Sequence, residues 1–109
     1  MAETYKVLGQ AKPAAATLTD LYTVPAATQA IVAAIVVCNQ SSSADTFRIS
    51  VAPGGAADAV SQYIAWDTTV NGNDSLPLTL GIGLSATDKI RCRSTNGNVS
   101  FTASGVEIT

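Results

Sequence analysis

Hydrophobic and polar positions alternate along most of this chain, with the two-residue period of β-strands. The clearest case is Asp45–Ala52, where Phe47, Ile49 and Val51 point one way and Thr46, Arg48 and Ser50 the other. Ser75–Leu84 repeats the pattern over a longer run. Leu76, Leu78, Leu80, Ile82 and Leu84 share one face, and Thr79, Gly81 and Gly83 share the other. Glycines at alternate strand positions predict close approach of another backbone or a sharp twist. Gln62–Val70 sets Ile64, Trp66, Thr68 and Val70 on one face, with Tyr63 and Asp67 opposite. Asp88–Ser94 turns Ile90 and Cys92 inward and Lys89, Arg91 and Arg93 outward. Val99–Ile108 places Val99, Phe101 and Ala103 together, then changes parity at Val106 and Ile108, which predicts a bulge near Ser104–Gly105.

Thr28–Cys38 departs from alternation by being apolar on both faces. Ile31, Ala33, Ile35 and Val37 lie on one, and Val32, Ala34, Val36 and Cys38 on the other. Its density of β-branched residues favours a strand over a buried helix. Such a strand is either central and covered twice, or covered on one side by another subunit. Glu3–Gly9 and Leu18–Val24 supply two further strands, joined by an irregular link over Gln10–Ala16, where Pro13 opposes a helix. Turns are predicted at Pro25–Gln29, Asn39–Ala44, Pro53–Gly55, Asn71–Asp74 and Asn96–Asn98, the Asn-Gly pairs because they tolerate positive φ. Ala56–Ser61 reads as a loop or a single helical turn. The expected fold is all-β, an antiparallel β-sandwich of about seven to eight strands, with immunoglobulin-like and jelly-roll orders both open. Residues 1–16 stand apart as a first strand and Pro/Ala link able to act as an assembly arm, and residues 17–109 form one sandwich domain.

The length of 109 residues suits a single domain with its own core. Six basic and eight acidic residues leave a net charge of −2, which argues against generic nucleic-acid binding. The hydrophobic content is 47 %, much of it alanine, so Thr, Ser, Asn, Gln and Ala must cover the surface. A surface so poor in charge often belongs to a molecule held in an assembly. No run approaches the roughly eighteen apolar residues of a membrane span, and the first residues lack a basic stretch followed by an apolar one. Synthesis in the cytosol and a soluble product are therefore expected. Cys38 and Cys92 have neither metal nor redox spacing. They read as two buried free thiols in strands, with a disulfide across the sandwich as the alternative.

Reactive chemistry is sparse. The chain has no histidine, so the common general base, the usual nucleophilic triads and the usual zinc ligands are missing. A carboxylate pair would suffice for glycoside hydrolysis, but Asp20, Asp45, Asp58, Asp74 and Asp88 fall at turns or strand ends, where they bond turn amides. Asn71, Asn73 and Asp74 are oxygen-rich but lack the acidic density of a calcium loop. No enzymatic activity, cofactor, metal or small-molecule substrate is expected. Lys89, Arg91 and Arg93 form the one concentration of charge, read either as a solvated edge or face, or as a contact for an acidic partner. Tyr63 and Trp66, three apart and on opposite faces, are read as one core residue and one interface anchor, and Tyr5 and Tyr22 carry the same ambiguity. Tyr63 beside a second tyrosine would make a glycan-binding platform, a second functional class.

Leu21–Asn39, LYTVPAATQAIVAAIVVCN, resembles small structural proteins of tailed-bacteriophage virions. The likeness continues in order through FRISVAP at Phe47–Pro53, YIAWD at Tyr63–Asp67, LTLGIGLSATDKIR at Leu78–Arg91 and the terminal VSFTASGVEIT. It spans most of the chain and carries no catalytic motif. The resemblance implies a β-sandwich virion component, foremost a capsid cement or decoration protein on the outer surface of the head, commonly a homotrimer. Its partners would be the major capsid protein and further copies of itself, with no direct nucleic-acid or membrane contact. Tail, neck or connector proteins share the look. Candidate contacts on this reading are Tyr5, Val7, Ile31, Ile35, Tyr63, Trp66, Lys89, Arg91 and Arg93, with Ala2–Lys12 extending onto the lattice or exchanging with an adjacent subunit.

Overall fold

The computed structural model describes residues 2–109, so Met1 lies outside the account. Eight strands follow one another: β1 (Glu3–Ala11), β2 (Thr19–Thr23), β3 (Gln29–Asn39), β4 (Asp45–Ala52), β5 (Tyr63–Val70), β6 (Ser75–Leu84), β7 (Lys89–Ser94) and β8 (Val99–Ile108). Short 3-10 turns at Pro53–Gly55 and Val60–Gln62 punctuate the β4–β5 connection. No helix is long and apolar enough to cross a membrane.

The strands form two four-stranded sheets, ordered β1-β8-β3-β6 (sheet A) and β2-β7-β4-β5 (sheet B), and every pairing is antiparallel. Except for the β4–β5 step, consecutive strands alternate between the sheets. That is the jelly-roll order, and it settles the choice that strand patterning left open. The N-terminal segment Glu3–Ala11 is the outermost strand of sheet A and pairs with β8 of its own chain.

The core fills the space between the sheets. Phe47 on β4 and Phe101 on β8 meet edge to face, ring centroids 5.9 Å apart, and both are buried. Ile35, Val37, Ile49 and Ile90 surround them without measurable exposure. Phe47, Ile49, Ile90, Cys92, Val99, Phe101 and Ala103 all face inward, as alternation predicts. The inward row of β6 is only half-buried until Leu84.

A line of bulges crosses sheet A and corrects two expectations. The shift predicted on β8 lies instead on its neighbours: Leu8 is the extra residue of β1, and Ala33 that of β3, each opposite the Ala103–Gly105 stretch. The alternation of β8 runs unbroken, with Gly105 inward and Val106 outward. Gly105 is required there because a Cβ would collide with the Ile31 carbonyl oxygen. Ala33 also reverses the parity of β3. Val32, Ile35 and Val37 are all buried, while Ile31 and Val36 are exposed. The two faces read from strict alternation across Ile31–Cys38 are thus exchanged halfway along.

The turns hold two further differences. Gly97 takes positive φ, as Asn-Gly predicts, and the Ala14–Ala15 backbone packs against it. In the other Asn-Gly turn the residue with positive φ is Asn73 instead, and Gly72 leaves room for the Ser42–Ser43 backbone that lies against it. The glycines of β6 have nothing within 4 Å of where a side chain would begin, so among the described residues no backbone packs over the outer side of Gly81 or Gly83.

Candidate functional site

Cross-strand register assembles the most distinctive surface of the molecule. On the outer face of sheet A, Tyr5 opposes Val106, Val106 opposes Ile31, and Ile31 opposes Gly83, giving one apolar row across all four strands. The next row is Val7, Ser104, Ala34 and Thr79. A third is Gln10, Thr102, Val36 and Pro77. Tyr5 is 78 % exposed, Val7 53 %, Ile31 43 % and Val36 39 %. None of these three rows holds a charge. Charges flank them at both ends: Glu3 shares the terminal row with Ile108 and Gln29, and Lys12 lies beside Gln10, Ser100 and Thr102. Lys6 and Glu107 lie on the opposite side of the sheet and pair with each other at 3.0 Å. A charge-free face carrying exposed Tyr5, Val7, Ile31 and Val36 is a candidate contact surface.

Three sequence-predicted contact residues, Tyr5, Val7 and Ile31, therefore come together here. Ile35 does not. It is fully buried between the sheets, because the Ala33 bulge turns it inward. Val36 and Val106 belong to the face but were assigned no contact role from sequence, since the Ala33 bulge that turns Val36 outward is invisible in a hydrophobic pattern and β8 lacks the bulge expected to turn Val106 inward.

The outer face of sheet B is polar and largely satisfied. β7 is a central strand, so Lys89, Arg91 and Arg93 guard no edge. Asp20 accepts hydrogen bonds from Lys89 Nζ at 2.9 Å and Arg91 Nε at 3.3 Å. Those bonds, led by the one from Lys89, hold its carboxyl below the usual aspartate value. Arg91 also donates to the Ala56 and Gly55 carbonyls, pinning the β4–β5 connection. Among the described residues Arg93 has no carboxylate within salt-bridge distance.

Tyr63 and Trp66 meet rather than facing apart. Their centroids are 4.8 Å apart with ring planes at 87°. Register shifts between β4 and β5, and the positive φ of Asp67, break the alternation that separated them. Neither is buried, so the expectation that one is core gives way to a surface pair. Arg48 lies 3.7 Å over the Trp66 ring and grips Asp67 through two bonds, at 2.7 and 3.1 Å. Tyr63 donates to Asp58, and partial burial followed by that carboxylate raises its pKa. Perpendicular rings, one already covered by a guanidinium, offer no flat double platform for a sugar.

The remaining polar groups serve the scaffold. Asp45 accepts from the Thr46 and Asn96 amides, Asp74 from Ser75, and Asp88 from Gly54 and Ser85. Asp20 and Asp58 are exceptions to turn bonding: Asp20 is a strand residue paired with cations, and Asp58 accepts from the Tyr63 hydroxyl. Among the described residues no group of three or more Cys, Asp or Glu is placed to hold a metal. Cys92 is buried, and burial pushes its thiol up to about 12. Cys38 is half-buried on the outer face of sheet A, opposite Ser75 and Ser100, and both thiols are free. A surface depression of about 590 Å³ lies between the Ala27–Gln29 turn, Ser85–Ala86 and Ile108–Thr109, with no acidic or basic side chain on its wall. A scan against protein-family models finds no match to this sequence, and no curated protein matches it.

Proposed function

We propose that this chain is a non-enzymatic structural protein of a tailed-bacteriophage virion, a cement or decoration protein that docks on the outer surface of the capsid. The observation that carries the reading is the outer face of sheet A. It presents Tyr5, Val7, Ile31 and Val36 to solvent with no charge among them, as suits a surface meant to be covered by a partner. The resemblance of Leu21–Asn39 and the later segments supplies the class of partner, the major capsid protein. The jelly-roll order is compatible with the reading but does not carry it, since viral capsid proteins and lectins share that fold. Many weak contacts repeated over a symmetric shell would sum to firm attachment.

The glycan-binding alternative draws on the exposed Tyr63–Trp66 pair, but the 87° between the rings weighs against it. Cosedimentation with purified empty capsid shells tests the proposal. Saturable binding at a copy number near that of the capsid subunit supports cement. A stoichiometry of a few copies per particle supports a neck or tail position instead. Binding to immobilised oligosaccharides, lost in Trp66→Ala, would replace both.

A further inference from the structure

We propose that β6 is a homotypic docking edge, which joins two copies of this chain by antiparallel β6–β6 pairing into one continuous eight-stranded sheet. The outermost strands are β1 and β6 in sheet A and β2 and β5 in sheet B. A free edge invites pairing with another chain, and folded proteins blunt it with charges, bulges or short length. β1 carries Glu3 and Lys6 and bulges at Leu8. β2 is five residues long, contains Asp20 and is irregular at Leu21. β5 contains Asp67 at positive φ and breaks register twice. β6 alone has ten residues without a charge. Its one extra residue relative to β3 lies between Thr79 and Ile82, and Pro77 limits only its first end.

The open side of the sandwich lies along the same strand. β1 packs against β2, closing one flank, whereas no comparable packing joins β5 to β6 on the other. Leu76, Leu78, Leu80 and Ile82 are consequently only half-buried, although all four pack inward against the core. On the outer face Gly81 and Gly83 have nothing within 4 Å of where a side chain would begin. Glycines at such spacing suit close backbone approach, and nothing in the described chain makes that approach.

A second copy fits better than an unrelated strand because the edge is complementary to itself. A two-fold axis at Gly81 sets Gly81 opposite its counterpart and Thr79 opposite Gly83 of the second copy. Leu80 then meets Ile82, and Leu78 meets Leu84, on the inward face. Aliphatic residues thus face aliphatic residues, with no like charges opposed. The product is a dimer, distinct from the trimer implied by the phage-protein resemblance.

Native mass spectrometry and light scattering over a concentration series test the inference, using the full chain and three variants. Gly81→Lys places a charge on the axis at a position with room for a side chain, and Thr79→Lys does so at an exposed neighbour, which guards against one variant misfolding. Ile31→Asp disrupts the outer face of sheet A instead. The expected result is a wild-type dimer whose dissociation constant rises at least ~tenfold in both lysine variants, with the melting temperature unchanged at concentrations where every form is monomeric, and is unaffected in Ile31→Asp. A monomer at every concentration, a trimer, or a dimer indifferent to both lysines overturns it.

Discussion

The Tyr22 hydroxyl on β2 donates a 2.6 Å hydrogen bond to Glu107 Oε2 on β8, while Glu107 Oε1 accepts from Lys6 on β1. One carboxylate thus ties sheet B to the neighbouring strands β8 and β1 of sheet A along the closed flank of the sandwich. Burial of the phenol, reinforced by the carboxylate, raises the Tyr22 pKa well above its ordinary value. The bonds from Tyr22 and then Lys6 lower that of Glu107.

Stability should therefore depend on pH through Glu107. A carboxyl whose folded pKa is lowered contributes stability above its unfolded value, near 4.5, and that contribution is lost as pH falls through the folded value. Tyr22→Phe should cost about 1–2 kcal/mol at neutral pH. The difference from wild type should shrink on acidification below the ordinary glutamate value, as read from urea midpoints at the two conditions.

The glycines of sheet A should respond in opposite ways to a single methyl group. Gly105→Ala forces a Cβ onto the Ile31 carbonyl and should destabilise by more than about 2 kcal/mol, the range of overpacked sites. Gly81→Ala enters open space and should leave the monomer within about 0.5 kcal/mol of wild type, typical of surface changes. Thermal melts of both variants at low concentration check the contrast.

The two thiols should differ in reactivity. Cys38 should react with a thiol reagent in the folded protein. Cys92, buried with its thiol pushed up to about 12, should react only after denaturation. A timed thiol count in native buffer and in denaturant distinguishes one reactive group from two.

Asn39, the last residue of β3, should prove the most costly polar side chain to remove. It is buried, donates to the Ser43 and Val70 carbonyls, and accepts from the Ser41 amide. Asn39→Ala leaves those groups short of partners and should cost about 2–4 kcal/mol, several unmade buried bonds at once. Chemical denaturation measures it.

Periodicity revealed the strands because one side of each must bury apolar groups. Asp45–Ala52 matched the observed β4 to the residue, and the inward run of Leu76–Leu84 held throughout. Bulges were illegible, since one extra residue leaves composition untouched while reversing every side chain beyond it. That is why Ile35 was expected at an interface and sits in the core, and why Tyr63 and Trp66 were separated but touch. Strand order was illegible too, because it depends on pairing between distant segments such as β1 with β8. Of the candidate contact face, Tyr5, Val7 and Ile31 were named from sequence, whereas Val36 and Val106 needed the register.

The most direct test of the central claim is cosedimentation of the wild-type chain and Ile31→Asp with purified empty capsid shells. The docking account predicts saturable binding of the wild type at a copy number near that of the capsid subunit. It also predicts at least ~tenfold weaker binding of the variant, a loss on the scale of one buried contact residue, with an unchanged circular-dichroism spectrum. Shells that ignore the wild-type protein, or that bind both proteins equally, would contradict it.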